Sequence, residues 1–572
     1  MNRILRINMT DRTFVVEPLP DRYRYLGGRA ITSQIVADEV PPTCDALGPS
    51  NKLVWAPGLL SGTTVSSTSR VSVGCKSPLT GTIKESNAGG ETGLLLAQLG
   101  YRAVIVEGAA EPGSWWVLVI DWDEVRFVEA PKSLIGAGGY ATAAELFAQY
   151  GGVRQCGMAL IGPAGELKMN VAGIVNTDRD GRASRLNARG GVGAVMGSKS
   201  LKAVVVMGNK RNPVSHVDEM RWKEGARQYM RMLREHPATS ERYPQLGTAG
   251  TLEVVNKLGG LPTRNFSAGR FEAADQIAGI RMREIILERG GEGRTTHSCM
   301  TGCAIQCSNI FPDRMGREVA SSMEFETNGL WGSNLGIADL DAVARFTYLC
   351  NDLGVDTIEA GGTMGIFMEA GLIQWGDASA VEHILDHDLR SGTPLGRLAG
   401  SGAGIAGRAL GVVRVPVVKN QTISAYDPRA IKGNGVTYCT SPQGADHTAG
   451  NTIGMKVDHL DPAGKVALSR EVQLVATILD MLGYCTFARG LTDINPETFS
   501  TMFNAYMGTT WSWKDLRQLA LSVIGTERGF NRRAGFGAAH DRLPEWMRKE
   551  PLPPHNAVFD VDNEGLDSIW EC

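Results

Sequence analysis

Apolar and polar residues alternate at the start of the chain. Ile4/Leu5, Ile7 and Met9 begin a strand, Thr10-Asp-Arg-Thr13 turns, and Phe14-Val-Val16 returns as the second arm of a hairpin. Further strand-like runs are Leu53-Val-Trp55, Arg70-Val-Ser-Val-Gly74, Ala103-Val-Ile-Val106, Trp116-Val-Leu-Val-Ile120, Val125-Arg-Phe-Val128 and Ala203-Val-Val-Val206. Helical spacing appears between them at Ala30–Val40, Thr92–Leu99 and Thr142–Tyr150. Glycine-rich connections outnumber regular crossover helices, so residues 1–208 are expected to form an α+β domain with antiparallel-rich sheets and not a doubly wound sheet. A boundary is expected at Asn212-Pro-Val-Ser-His216, after which the period becomes helical: Val217–Glu235, Ala338–Leu353, Ile358–Glu369, Ala378–Leu389, Leu395–Ala403, Arg470–Leu482 and Asp515–Ile524. A second break at Arg414–Val418 divides this half into mainly helical domains over 209–416 and 417–572, and the proline-rich, acidic tail from Pro551 reads as an extended surface strap.

Composition narrows the class of function. With 572 residues the chain exceeds one core. Its 58 basic and 61 acidic side chains and a pI near 6.4 give no footprint for nucleic acid or an anionic membrane. No apolar run reaches the roughly 20 residues of a membrane span. The ten cysteines are not spaced as a disulfide framework and the N-terminus has no apolar signal region, so a reducing cytoplasm is expected. Seventy glycines imply many tight turns or close approaches of backbone to ligand.

Three of those cysteines, Cys299, Cys303 and Cys307, fall within Thr296-His-Ser-Cys-Met-Thr-Gly-Cys-Ala-Ile-Gln-Cys-Ser308. Thiolates are the soft ligands of iron–sulfur clusters, and a fourth commonly arrives from far along the chain; Cys485, in Leu479-Asp-Met-Leu-Gly-Tyr-Cys-Thr-Phe487, is the candidate. On a straight helix the outer two of the triplet would lie about 12 Å apart at about 1.5 Å per residue. The run must therefore bend, and Gly302 is placed to let it. Buried structural cysteines and a structural zinc, which usually takes two close pairs, are the competing readings. The C-x3-C-x3-C spacing differs from the C-x3-C-x2-C of radical clusters that bind S-adenosylmethionine.

Two glycine-rich stretches, Ser86-Asn-Ala-Gly-Gly-Glu-Thr-Gly93 and Arg189-Gly-Gly-Val-Gly-Ala-Val-Met-Gly-Ser-Lys199, each lead into a helix whose first N–H groups attract anions. The second misses both standard phosphate fingerprints, with Met196 where a third glycine and Ser198 where a lysine would stand. A pair of related turns, Asn351-Asp-Leu-Gly-Val-Asp-Thr357 and Asp480-Met-Leu-Gly-Tyr-Cys-Thr486, reads either as two copies of one ligand-binding turn or as two ordinary helix C-caps. Glu326 in Glu324-Phe-Glu-Thr327 and His447 in Gly444-Ala-Asp-His447 are isolated candidates for proton transfer, or simply satisfied polar residues.

Together these stretches resemble the aldehyde:ferredoxin oxidoreductase family, whose members carry a tungsten-bispyranopterin beside a [4Fe–4S] cluster. The resemblance runs through Tyr25-Leu-Gly-Gly-Arg29, Ser69-Arg-Val-Ser72, Ser86–Gly90, Arg189–Lys199, Met323–Thr327, both turns, Ser441–His447 and Arg528-Gly-Phe530, nearly the whole chain. It implies that Arg70, Asn87 and Gly89 contact the pterin phosphates, and that Asn87 and the carbonyl of Leu186, next to Arg185, hold Mg2+ between them. Asn351, Gly354 and Asp356 would bind one pterin, and Asp480 and Gly483 the other. The cluster ligands would be Cys299, Cys303, Cys307 and Cys485, with Glu326 and His447 the acid–base groups. Three departures stand out: C-x3-C for the family's usual C-x2-C, Asn351 for aspartate, and an end soon after Leu566-Asp-Ser-Ile-Trp570. The implied activity is oxidation of an aldehyde with water to a carboxylic acid. Tungsten, or molybdenum in its place, would pass electrons through the cluster to ferredoxin or an iron–sulfur subunit of a homo- or hetero-oligomer. A same-family reductase of an acid or CoA-thioester ring is the alternative, and a non-catalytic iron–sulfur carrier the rival of a different class.

Overall fold

The computed structural model describes residues 2–210 and 214–571, so Asn212 and Pro213 of the expected boundary segment lie outside the described residues. Twelve strands lead the chain. β1 (Arg3–Asn8), β2 (Thr13–Pro18), β3 (Leu53–Pro57), β4 (Val71–Lys76), β5 (Ile83–Ala88) and β6 (Tyr101–Glu107) form one sheet in the order β2-β1-β6-β3-β4-β5. β7 (Trp116–Ile120), β8 (Val125–Glu129), β9 (Cys156–Leu160), β10 (Ile174–Thr177), β11 (Ala183–Asn187) and β12 (Leu201–Met207) form a second in the order β8-β7-β12-β9-β10-β11. Counted from their own first strands, the two orders are the same. In each sheet the first and last strands pair in parallel, β1 with β6 and β7 with β12, and the other pairings are antiparallel. This is the antiparallel-rich α+β domain expected, built as an internal duplication.

The duplication reaches the glycine loops. Asn87-Ala88 and Asn187-Ala188 end β5 and β11, and the helices that follow are Thr92–Gln98 and Val192–Ser198. Each helix starts with a glycine pressed on the opposite loop: a Cβ on Gly93 would sit 2.6 Å from the Ser69 carbonyl oxygen, and one on Gly193 2.2 Å from that of Gly173. The equivalent asparagines have diverged. Asn87 lines a cavity, whereas buried Asn187 donates Nδ2 to the carbonyls of Val71 (3.1 Å) and Ser86 (2.6 Å) and accepts from Asn176 (2.8 Å), tying the two sheets together.

The helical half follows the expected periods with local differences. Ala378–His383 continues as a π-turn over Ile384–Leu389, and the expected Leu395–Ala403 helix breaks into Pro394–Gly400 and Ala403–Leu410 at Gly402, whose φ is +90°. Lys465–Leu482 and Trp513–Arg533 extend beyond their expected ends, the latter starting from a reciprocal Ser512–Asp515 capping box. A three-stranded sheet, β13 (Arg294–His297), β14 (Ser308–Pro312) and β15 (Glu318–Ala320), has no counterpart in the apolar pattern. The tail is not simply a surface strap. Leu552, Phe559, Val561, Leu566 and Ile569 are buried and Asn563–Ser568 is helical, because those apolar side chains complete the large helical core.

The long helix Trp513–Arg533 closes on the first helix. Buried Arg29, in helix Gly28–Glu39, holds Glu527 of Trp513–Arg533 through Nε (2.8 Å) and Nη2 (2.7 Å), and Ser33 adds a third hydrogen bond of 2.8 Å. Each unit of the duplicated domain also receives one of the two related turns. Arg70 N–H, just before β4, donates to the carbonyl of Gly483 (3.4 Å) in the first unit, and Gly173 N–H, just before β10, donates to that of Gly354 (2.8 Å) in the second. The turns thus stand at matching places.

Candidate functional site

The cysteine triplet is the loop between β13 and β14. It bends where the geometry required: Gly302 has φ +79° and Gln306 φ +51°. Cys485 follows the C-cap of Lys465–Leu482, where Gly483 takes φ +88°. Its N–H donates to Ser67 O (2.8 Å), and the Ser67 hydroxyl lies 3.4 Å from Cys303 Sγ, so Ser67 bridges the two cysteine segments. A hydrogen bond from Cys299, with others from Ser67 and the Gln306 and Ile305 N–H groups, holds the Cys303 thiol below its ordinary range against burial. The bond to Cys303 and burial push Cys299 up, and burial pushes up Cys307 and Cys485. Each sulfur nevertheless feels at least one of the others. Among the described residues no three of these sulfurs lie within 4.8 Å of one another. A tetrahedral zinc with Zn–S near 2.3 Å would space them at about 3.8 Å, so the set is too open for a single ion and fits a larger soft centre.

Cys299, Cys307 and Cys485 line a cavity of about 1080 Å³ that also takes in Arg70, Asn87, Gly89, Arg185, Leu186 and Asn351. Arg70 reaches Asn87 by Nε to Oδ1 and by Nη2 to the carbonyl (3.2 Å), while Asn87 Nδ2 donates to Ser72 (3.1 Å). A Cβ on Gly89 would stand 3.0 Å from Cys299 Sγ, so only glycine brings this loop against the cysteines without displacement. Arg185 donates to the hydroxyls of Ser321 (3.2 Å) and Ser322 (3.3 Å), yet its buried Nε and the buried Ser184 hydroxyl have no hydrogen-bond partner among the described residues. A half-buried and a buried guanidinium, an orphaned donor and a glycine cradle fit an anionic group such as a pterin phosphate. Asn351 Nδ2 meets the Tyr140 hydroxyl (3.2 Å) and Ser321 O (3.3 Å).

Gly354, Asp356, Asp480, Gly483 and Cys303 are not among the lining residues. Gly354 (φ +71°) and Gly483 are left-handed helix C-caps. Asp356 accepts from Ile358 N–H (2.9 Å) as the cap of Thr357–Glu369 and from Arg189 Nε (3.2 Å). Asp480 lies 3.8 Å from Arg29, and burial, then the charge of Glu85, pushes its carboxyl well up.

Glu326 and His447 meet, with Oε1 and Nε2 3.0 Å apart, and both line the cavity. The Phe325–Thr327 turn carries Glu326, and Asp446, capping the turn that carries His447, is fixed by Lys84 at 2.7 Å. Burial alone would raise the Glu326 carboxyl towards neutrality. Burial does push that way, but the charge and hydrogen bond of His447, with a hydrogen bond from Tyr426, outweigh it and hold the carboxyl below its usual range. The pair is thus an ionised carboxylate beside an imidazole whose buried Nδ1 has no hydrogen-bond partner among the described residues. Sequence reasoning missed Tyr426, packed at a tilt between the rings of Phe325 (4.8 Å) and His447 (5.9 Å), and the buried Lys84–Asp446 and Arg189–Asp356 pairs. The one available signal was the Asn-Ala repeat at 87 and 187, which flags the strands carrying Lys84 and preceding Arg189.

Comparison with known proteins identifies the family. The chain matches the family model described as aldehyde ferredoxin oxidoreductase, N-terminal domain, over residues 4–208, and the model for domains 2 and 3 over 224–569. It is 32% identical over 581 residues to the tungsten-containing aldehyde ferredoxin oxidoreductase of Pyrococcus abyssi (strain GE5 / Orsay), covering 96% of this chain and 92% of that protein. It is 26% identical over 468 residues to the aliphatic sulfonate oxidoreductase, WOR-like subunit, of Pyrococcus furiosus, covering 74% and 71%. The same fold occurs in the active site complex BamBC of benzoyl coenzyme A reductase in complex with 1,5 dienoyl-CoA, with a TM-score of 0.79 at 20% identity, over 99% of this chain and 93% of that one. With both family models spanning almost its full length, and a duplicated sheet domain carrying one helical turn on each half, the chain belongs to the aldehyde ferredoxin oxidoreductase family.

Proposed function

We propose that the protein oxidises an aldehyde with water to the carboxylic acid, RCHO + H2O → RCOOH + 2H+ + 2e−, and passes the electrons to a ferredoxin or an iron–sulfur subunit in a reducing cytoplasm. One observation carries the reading: an ionised carboxylate hydrogen bonded to an imidazole opens on the same cavity as three of four mutually interacting cysteines. When bound, a tungsten or molybdenum bispyranopterin supplies the two-electron chemistry and a [4Fe–4S] cluster the one-electron relay.

The chain's own residues bind, orient and move protons. Arg70 and Arg185 offer guanidiniums to phosphate, and Asn87 and the Leu186 carbonyl offer oxygens of the kind Mg2+ takes. The turns at Asn351, Gly354 and Asp356 and at Asp480 and Gly483 hold one pterin each, and Cys299, Cys303, Cys307 and Cys485 hold the cluster. Glu326 removes a proton from the water that adds to the aldehyde carbon. His447 Nε2–H donates to the carboxylate across the 3.0 Å contact and orients it, and the imidazolium form can protonate the substrate oxygen, while Tyr426 keeps the carboxylate aimed by its hydroxyl hydrogen bond. The relatives named above, a tungsten-containing aldehyde oxidoreductase at 32% identity among them, support this assignment.

A panel of aldehydes assayed with a viologen acceptor tests it, using protein made in a host supplied with tungstate. Aldehyde-dependent dye reduction is expected. Activity only in the reverse direction, on an acid or a CoA thioester with reduced dye, would replace oxidation by reduction, and no turnover in either direction would leave an electron carrier.

A further inference from the structure

The cavity runs outward from Glu326 and His447 past a wall whose charges are unevenly used. Its inner guanidiniums, Arg70 and Arg185, are engaged with Asn87 and the Ser321/Ser322 hydroxyls. Of its acids, Glu324 is hydrogen bonded to Thr248 and Ser322, Glu326 to His447, and Glu471 is paired with Arg517, while exposed Glu241 makes no ion pair within 4.0 Å among the described residues. Half-buried Arg489 makes no side-chain hydrogen bond and no ion pair within 4.0 Å among the described residues, and exposed Arg242 on the same lining makes none either.

These two cations flank an aromatic step. Tyr243 and Phe487 pack with centroids 4.6 Å apart, and the Arg242 guanidinium lies 5.0 Å over the Tyr243 ring. Arg489 starts the helical turn Arg489–Thr492, and Gly490 beside it admits His236, whose Nε2 lies 3.0 Å from where a Gly490 Cβ would be. The charge of Arg489 is felt at Tyr426, the residue hydrogen bonded to Glu326. The nearest acid that feels it on the outer side, Asp493, is too far for an ion pair and has its carboxyl pushed up by burial and by Glu471, which weakens its hold on Arg489. A guanidinium kept out of water on one side and left without a counterion invites an anion.

We infer that the substrate is an aldehyde carrying a second, anionic group, carboxylate or phosphate, on an apolar or aromatic body, and that Arg489 receives that anion while Tyr243 and Phe487 hold the body. The inference rests on the aldehyde-oxidation reading for its substrate chemistry but not for its anion site. The reaction oxidises the aldehyde carbon to a carboxylate and leaves the second group unchanged, so the product carries one more negative charge than the substrate.

The test compares wild type with Arg489→Gln and Arg489→Lys in the holoenzyme, as the ratio of kcat/KM for 4-formylbenzoate to that for benzaldehyde. 4-Formylphenyl phosphate in parallel distinguishes phosphate from carboxylate. A hydrogen bond to a charged group is worth about tenfold to hundredfold in affinity. The ratio should therefore fall by at least about tenfold in the Gln variant and recover in part in Lys. Binding of terephthalate and of inorganic phosphate is measured by calorimetry on the same proteins. If no aldehyde is oxidised by the wild type, the function reading fails separately, and the calorimetry decides the anion site: weaker binding in the Gln variant upholds it and unchanged binding overturns it. An unchanged ratio, or equal loss on both aldehydes, overturns the proposal.

Discussion

Glu326→Gln is the sharpest perturbation of the proposed chemistry. Glutamine keeps the length of the side chain, can still accept from the Tyr426 hydroxyl and the His447 ring across the present 3.0 Å contact, and leaves the cysteines and the Arg70–Asn87 corner untouched. It cannot take a proton. A positioned general base is worth about 10² to 10⁴ in rate, or about 2.7 to 5.5 kcal/mol at 1.36 kcal/mol per decade. Turnover should fall by at least a hundredfold while tungsten and iron content stay at wild-type levels. The wild-type pH profile carries the same logic. Because His447 and Tyr426 overcome burial and lower the Glu326 carboxyl, the base form survives as pH falls through the ordinary glutamate value of about 4.3, and the acid limb of kcat/KM lies below it. The linked stability has the same sign: the pair's contribution is complete above the unfolded value and is lost as pH falls through the lower folded one. Steady-state dye reduction across pH, with metal analysis on the same samples, is the assay. A Gln variant that keeps more than a tenth of wild-type turnover, or an acid limb near neutrality, would refute the reasoning.

Cys485→Ala should lose or convert the cluster, read as iron content and the reduced-state paramagnetic spectrum; full iron with an unchanged spectrum removes Cys485 as a ligand. Gly483→Ala should destabilise the protein by more than the roughly 1 kcal/mol cost of a side chain in the left-handed region. Its Cβ would also meet Thr68 O at 2.6 Å and Ser61 Oγ at 2.8 Å; an unchanged Tm would show that the turn relaxes. Asp446→Asn leaves Lys84 buried without its 2.7 Å partner, at about 3–5 kcal/mol. Denaturant unfolding should show that loss, and less than 1 kcal/mol would mean the lysine is reached by water.

Much of this site was legible because its parts are rare residue types or glycine turns. The cysteine triplet announced a bend by spacing alone, and both turns ended helices where Gly354 and Gly483 stand. What stayed hidden has one physical cause: near the site, strands bury polar side chains. β5 reads Ile-Lys-Glu-Ser-Asn-Ala and β11 Ala-Ser-Arg-Leu-Asn, with Lys84, Glu85, Arg185 and Asn187 buried. A period-two apolar pattern cannot show such strands, and with them went the duplication of the sheets. The direction of the Glu326 shift is hidden from the sequence for a related reason. Burial was readable from Phe325 and its neighbours, whereas the partners that outweigh it, His447 and Tyr426, lie 121 and 100 positions away.

The most direct test of the central claim, a metal–pterin oxidoreductase with a cysteine-held cluster, is the metal content of the purified chain made in a host able to supply tungsten, molybdenum and pterin. One tungsten or molybdenum and about four iron per chain, with pterin released on denaturation, is the expected result. Iron alone, or a single zinc with neither tungsten nor molybdenum, would contradict it.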